Sequence, residues 1–326
     1  GVCILDNNLK NSKGIIIFTS IIFVLSGILL SWPNYFILSV AVSVVAGAIL
    51  LYNDKFITLS LTSILITAVS ILVSHSYFVM SLLIMTIIPL SLIIGRGIKR
   101  NAEIKKMVIQ GSIVLSVSIF ILMISHAIVL YGNFSFTNMR LYVIRLINGI
   151  GQIYENLLKS TYRENIDSEA IGQIRTLVRE IVNVLKSSLA GIIISGSVVI
   201  SFVLTVIVKG IIINRNDNYS LLKNFRITRT GGIIYFAGLI TAAVTSGIIK
   251  NVAENFLIVI APALLLEGAL YIVNLYKTKK LFKSALFFYL LIIGVFTFGL
   301  TQFIIYLGAY DSLNINWSKL KPKQED

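Results

Sequence analysis

Long apolar runs, all but one of them free of charge, follow one another along this chain, and they constrain its fold more than any motif does. They occupy about residues 15–31, 35–52, 57–74, 77–94, 108–131, 188–208, 232–249, 257–276 and 284–307. A helix that crosses a bilayer needs ~20 apolar residues, with a range of about 17–25. The first two runs are short for one crossing, whereas the whole stretch 56–94 is too long for one and divides at His75-Ser76. Only 13% of the residues are charged and 56% are hydrophobic, against roughly 25% charged in soluble domains. A water-soluble fold of this size could not hide so much apolar surface. The expected fold is therefore all-α, a polytopic transmembrane helical bundle of about nine spans. The first two runs are joined by Trp32-Pro33-Asn34, a tight turn with an interfacial aromatic, and can also be read as a single tilted hairpin.

The formal net charge is +14, but its distribution argues against nucleic acid as a partner. Basic residues cluster in short loops between apolar runs, as they do on the cytoplasmic side of membrane proteins. With the N-terminus inside, the inner loops hold Lys10, Lys13 and Lys55, then Arg96, Lys99, Arg100, Lys105 and Lys106. They go on to hold Lys209, Arg215, Lys223, Arg226 and Arg229, then Lys277, Lys279, Lys280 and Lys283. The short outer loops hold only Lys250. Nine crossings place the tail outside, although Lys319, Lys321 and Lys323 would favour the inside. The expected location is a bacterial cytoplasmic (inner) membrane, multi-pass, with the N-terminus cytoplasmic and anionic lipids at the basic inner loops. The single cysteine, Cys3, permits neither an intramolecular disulfide nor a thiolate metal cluster. No cleaved signal peptide is expected, because the first apolar run leads into the second without a small-residue cleavage site.

Residues 133–187 differ in kind from the rest, and from 138 onward they are polar, balanced in charge and periodic. Ile171, Ile174, Val178, Ile181 and Leu185 make one apolar stripe along a helix, as do Leu146, Ile150, Ile153 and Leu157 upstream. Asp167 or Ser168 suits an N-cap, and Glu169 follows in the first turn, where the helix dipole favours an acid. The expected organisation is a membrane half of five spans (1–132), an extracytoplasmic amphipathic helical hairpin (133–187), a half of four spans (188–310) and a polar tail (311–326).

Of the 14 acidic residues, Glu267 alone falls squarely inside a span. A carboxylate at mid-membrane costs roughly 2.5–3.5 kcal/mol on insertion scales and so turns to the bundle interior and a partner. Pro262 and Gly268 lie on the same run and loosen local backbone hydrogen bonding. Two readings stay open: a substrate, cation or proton site, or a protonated acid bonding a neighbouring helix. The two histidines, His75 and His126, fall towards the outer face, and with Glu267 and Asn274 they complete the candidate substrate-binding set. Histidine spacing does not demand a metal. Gln110, Asn274 and Gln302 also suit interhelical hydrogen bonds. Small residues recur every four positions at Gly238, Ala242 and Ser246, at Gly191 and Ser195, and at Ser39, Ser43 and Gly47. This spacing lets helices approach closely, either within the chain or against a partner membrane subunit.

Nucleotide-binding, dinucleotide-binding, HExxH and GxSxG motifs are absent from the sequence. Inner loops this short cannot house a catalytic domain, so neither enzymatic activity nor a cofactor is expected.

Several of these pieces, in their order, resemble the YybS-like family, bacterial multi-pass membrane proteins that constitute a domain of unknown function. The likeness is carried by IIPLSLIIGRGIKR (87–100), by the long helical insert feeding directly into the sixth span, and by APALLLEGALYIVNLYKTKK (261–280) followed by LGAYDSLNINW (307–317). Glu267-Gly268 stands where the family has a Gln-Gly or similar pair, and Gly308 to Ser312 matches its Gly-x-x-Asp-Ser stretch. The chain departs from the family in lacking an arginine-rich tail. The family's amino-terminal half is similar to substrate-binding components of energy-coupling-factor vitamin transporters. The resemblance thus implies a small-molecule transporter or a transporter's substrate-binding component, although the first span (15–31) lacks the Ala-x-x-x-Ala seam by which some such components dock. The alternative expectation is a non-transporting scaffold or regulator that recruits partners through the extracytoplasmic helices.

Overall fold

The computed structural model describes residues 13–30, 32, 35–74, 78–161, 168–212, 227–277 and 299–314. Among these residues there are helices and turns but no strand. The first helices are α1 (Lys13–Leu29), α2 (Phe36–Tyr52), α3 (Phe56–Ser74), α4 (Phe78–Lys99) and α5 (Ile104–Tyr131). They are followed by α6 (Phe136–Thr161), α7 (Ser168–Ile212), α8 (Arg229–Val244), α9 (Gly247–Lys277) and α10 (Leu300–Asn314). Five helices, α3, α4, α5, α7 and α9, are long and apolar enough to cross a membrane, while α1, α2 and α8 are shorter apolar helices.

The described apolar runs are helical, as expected where lipid offers the backbone no hydrogen-bond partners and each segment must satisfy its own. Most of the ninth expected run, 284–298, lies outside the described residues. One boundary departs from the sequence reading. The break between the seventh and eighth runs falls at Thr245-Ser246, and Lys250 is helical. Both the amide and Oγ1 of Thr245 donate to the Thr241 carbonyl, which closes α8. Gly247 then takes φ +66, left-handed backbone that favours glycine. Lys250 and Glu254 form an i,i+4 pair at 3.8 Å, so polar residues extend α9 beyond its apolar run. Ser246 lies in the break, and the series begun by Gly238 stops at Ala242.

The chain forms two compact units, Gly1–Ser118 with Gly196–Arg226, and Ile119–Ser195 with Ile227–Asp326. In the first unit, hydroxyls and small residues bring the helices together. Ser39 and Ser43 are buried, Ser43 is hydrogen-bonded to Ser26 at 2.8 Å, and Ser91 donates to the Val44 carbonyl at 3.1 Å. A side chain at Gly95 would collide with the Ala48 carbonyl, so α2 and α4 meet backbone to backbone. Pro89 lies inside α4 and brings no backbone N–H to the helix. A π-helical turn at Leu83–Ile87 accommodates the ring, and Ser118 Oγ of α5 donates to the Met85 carbonyl at 2.6 Å.

The C-termini of α2 and α4 share one cap. Asp54 (φ 59) and Asn101 (φ 52) take left-handed backbone. The next amides, of Lys55 and Ala102, reach back to Leu50 at 2.9 Å and Gly97 at 2.8 Å, the Schellman arrangement.

Among the described residues of the second unit, two apolar clusters stand out. Tyr235, Leu264, Ile305 and Ala309 join α8, α9 and α10. Met123, Ala127 and Tyr142 join the end of α5 to α6, with Leu189 and Ile193 of α7 packed against them.

Candidate functional site

Glu267 sits where α8, α9 and α10 meet, and it is 1% exposed. The glycine after it sets the spacing. A methyl group on Gly268 would overlap the Ile304 carbonyl oxygen of α10, and one on Gly308 would overlap the Leu264 carbonyl of α9. The two backbones therefore cross at a glycine pair, as small residues permit in membranes. Ala309 and Ser312, further along α10, press against Gly232 of α8 in the same way. Gln302 adds an interhelical hydrogen bond to Tyr235 Oη at 3.0 Å, one of the roles expected of that amide.

Within this closed junction the Ile227 amide donates to Glu267 Oε2 at 2.9 Å. Ile227 stands just before α8, whose N-cap residue Thr228 makes no side-chain capping bond. Glu267 of α9 thus holds the segment that leads into α8, one residue before its N-cap. Sequence patterns name the buried acid but not this partner, because a backbone amide leaves no residue-type signature.

His126 is occupied elsewhere. Its Nδ1 lies 3.1 Å from Tyr142 Oη, and the two rings meet edge to face with centroids 5.5 Å apart. Burial pushes the Tyr142 phenol above its ordinary value. His75 lies outside the described residues, and Asn274 is on the last turns of α9 with its side chain outside them. Glu267 belongs to the α8–α10 cluster and His126 to the α5–α7 cluster, so the structure does not join these two into one site. No three His, Cys, Asp or Glu among the described residues come together as metal ligands.

The 133–187 region is a packed pair of helices. Glu155 meets Arg175 at 3.6 Å, and Gly151 lies against Val178 and Val182, so α6 and α7 run antiparallel. The packed face of α6 keeps only Leu146 of the expected stripe, against the Met123–Tyr142 cluster. Ile147 and Gly151 are buried, whereas Ile153 and Leu157 are 61% and 57% exposed. On α7, Val178 is buried while Leu177 and Val184 are exposed. At 100° per residue these exposed rows lie roughly 120° from the contact line on each helix. Antiparallel pairing turns both rows to the same side of the hairpin.

Two further features were not expected from the sequence, although the first forms at Gly191, whose small size was read as allowing close approach. Asn255 of α9 accepts from the Gly191 amide and donates to the Ser187 carbonyl, both at 2.8 Å. It thereby fastens α7 where its polar part becomes apolar. In the first unit, a cavity of about 510 Å³ lies between α1, α2 and the end of α7. At one end of it, Lys99 donates to Asp54, whose carboxyl this bond holds below its ordinary value, with Arg96 and Lys55 acting in the same sense.

No family model, curated protein or solved structure matches the chain.

Proposed function

We propose that this protein is a bacterial inner-membrane scaffold or regulatory protein that recruits a protein partner through an extracytoplasmic α6–α7 hairpin. The proposal takes the N-terminus as cytoplasmic and the chain as crossing the bilayer about nine times. The observation that carries it is the two-row apolar face of that hairpin, formed by Ile153 and Leu157 with Leu177 and Val184. α7 is one helix of 45 residues, about 67 Å long, against ~30 Å of hydrocarbon. Its apolar part fills the bilayer, so its polar part and the attached α6 stand in water. These side chains are 54–61% exposed, so covering each is worth roughly 1–1.5 kcal/mol before the costs of association. The closed junction around Glu267 supports the same reading, since its carboxylate ties α8 to α9. No catalytic role is assigned.

A second reading, a small-molecule transporter or its substrate-binding component, draws support from the cavity beside α1 and α2 and from the likeness to the YybS-like family. Deleting residues 141–185 separates the two. A scaffold keeps its membrane insertion and loses its co-purifying protein. A deletion variant that retains every partner contradicts the proposal, and one that instead loses uptake of a small molecule favours the second reading.

A further inference from the structure

The cavity in the first unit has the shape and polarity of a slot for one hydrocarbon chain. Its walls come from α1, α2 and α7, and its floor is set by the buried residues Ala46, Leu204 and Ile212. Its rim residues Phe18, Leu38 and Ile211 are exposed, so the slot opens sideways. From Ala41 to Asn53, both of which line it, α2 rises about 18 Å. That is close to the ~15 Å depth of one leaflet's hydrocarbon, half of the full core. The volume of about 510 Å³ lies within the ~300–1,000 Å³ of ligand pockets.

The two ends differ. Tyr52 and Asn53 close one end, and the chain continues directly into Asp54 and Lys55. Asp54 is paired with Lys99, while Arg96 and Lys55 are exposed nearby without a carboxylate partner of their own among the described residues. One end of a chain-shaped apolar slot therefore carries an excess of two cations.

We propose that this slot holds one acyl chain of an anionic phospholipid drawn from the surrounding bilayer, with the headgroup phosphate at Lys55 and Arg96. The apolar wall selects a chain, the sideways opening lets it enter from the hydrocarbon, and the cations select the head. This differs from general attraction of anionic lipid to basic loops, because one lipid is retained in a defined place when the bulk bilayer is removed.

The test is native mass spectrometry of the full chain, stripped in detergent and re-exposed to phosphatidylglycerol or phosphatidylcholine. The expected result is one retained phosphatidylglycerol in preference to phosphatidylcholine. Ala46→Phe, which fills the floor, abolishes retention, and Ala41→Leu, which narrows the slot where Ala41 is only half-buried, reduces it should the first variant fold poorly. The double variant K55Q/R96Q still retains a lipid but loses roughly 5- to 30-fold of the preference, as expected for two cations near a lipid surface. Equal retention of both lipids by the wild type, or unchanged retention by Ala41→Leu, overturns the proposal.

Discussion

The α8–α10 bundle and the α6–α7 hairpin belong to the same compact unit yet are finished in opposite ways. In the bundle, Tyr235, Leu264 and Ile305 turn inward, and the carboxylate beside them meets the Ile227 amide. In the hairpin, a thin line of contact through Ile147, Gly151 and Val178 leaves Ile153, Leu157, Leu177 and Val184 outside. A buried charge invites a functional reading, and exposed apolar residues are easily passed over on a membrane protein. Here the buried acid accepts from the Ile227 amide, and the apolar rows lie exposed on the most polar pair of helices. The comparison moves the search for function from Glu267 to the hairpin surface.

Substitutions can break this contrast, and the largest effect belongs to the bundle. Gly268→Val places a branched side chain against the Ile304 carbonyl, a backbone atom that cannot swing aside. Overpacking of this kind costs about 3 kcal/mol, seen as a clear fall in melting temperature of the detergent-purified protein. A wild-type melting temperature for this variant would mean that α9 and α10 do not cross at the glycine pair. A smaller effect is expected at the carboxylate. Glu267→Leu leaves the Ile227 amide without this acceptor and costs roughly 1–3 kcal/mol, whereas Glu267→Gln keeps an acceptor oxygen and costs less. If Gln and Leu destabilise equally, the charge itself matters, and the tether account of Glu267 is incomplete.

Much of this architecture was legible in the sequence because lipid imposes one rule on every apolar run. Runs such as 57–74 and 108–131 became α3 and α5, since an apolar segment in hydrocarbon must bond to itself. The stripe Ser39, Ser43, Gly47 was legible as packing for the same reason, small residues being what lets helices close. The partners of single groups were not legible. Pro89 announces a missing backbone donor but not that Ser118, in another helix, donates to the nearby Met85 carbonyl. Glu267 announces a need for a donor but not that a backbone amide at Ile227 supplies it. The stripe from Leu146 to Leu157 announces a helix without saying which side packs. That choice was made by Gly151, whose missing side chain lets Val178 and Val182 approach one residue position away from the stripe.

Site-specific photo-cross-linking in intact cells tests the central claim most directly. A photoreactive residue placed at Ile153 or Leu157, on the exposed apolar face of α6, is compared with one at Asn148, an exposed polar position on the same helix. The account predicts a discrete protein adduct from Ile153 and Leu157, none from Asn148, and the same adduct in a Glu267→Gln background. Adducts to lipid alone from the apolar positions, or an adduct lost with Glu267→Gln while the protein remains folded, would contradict it.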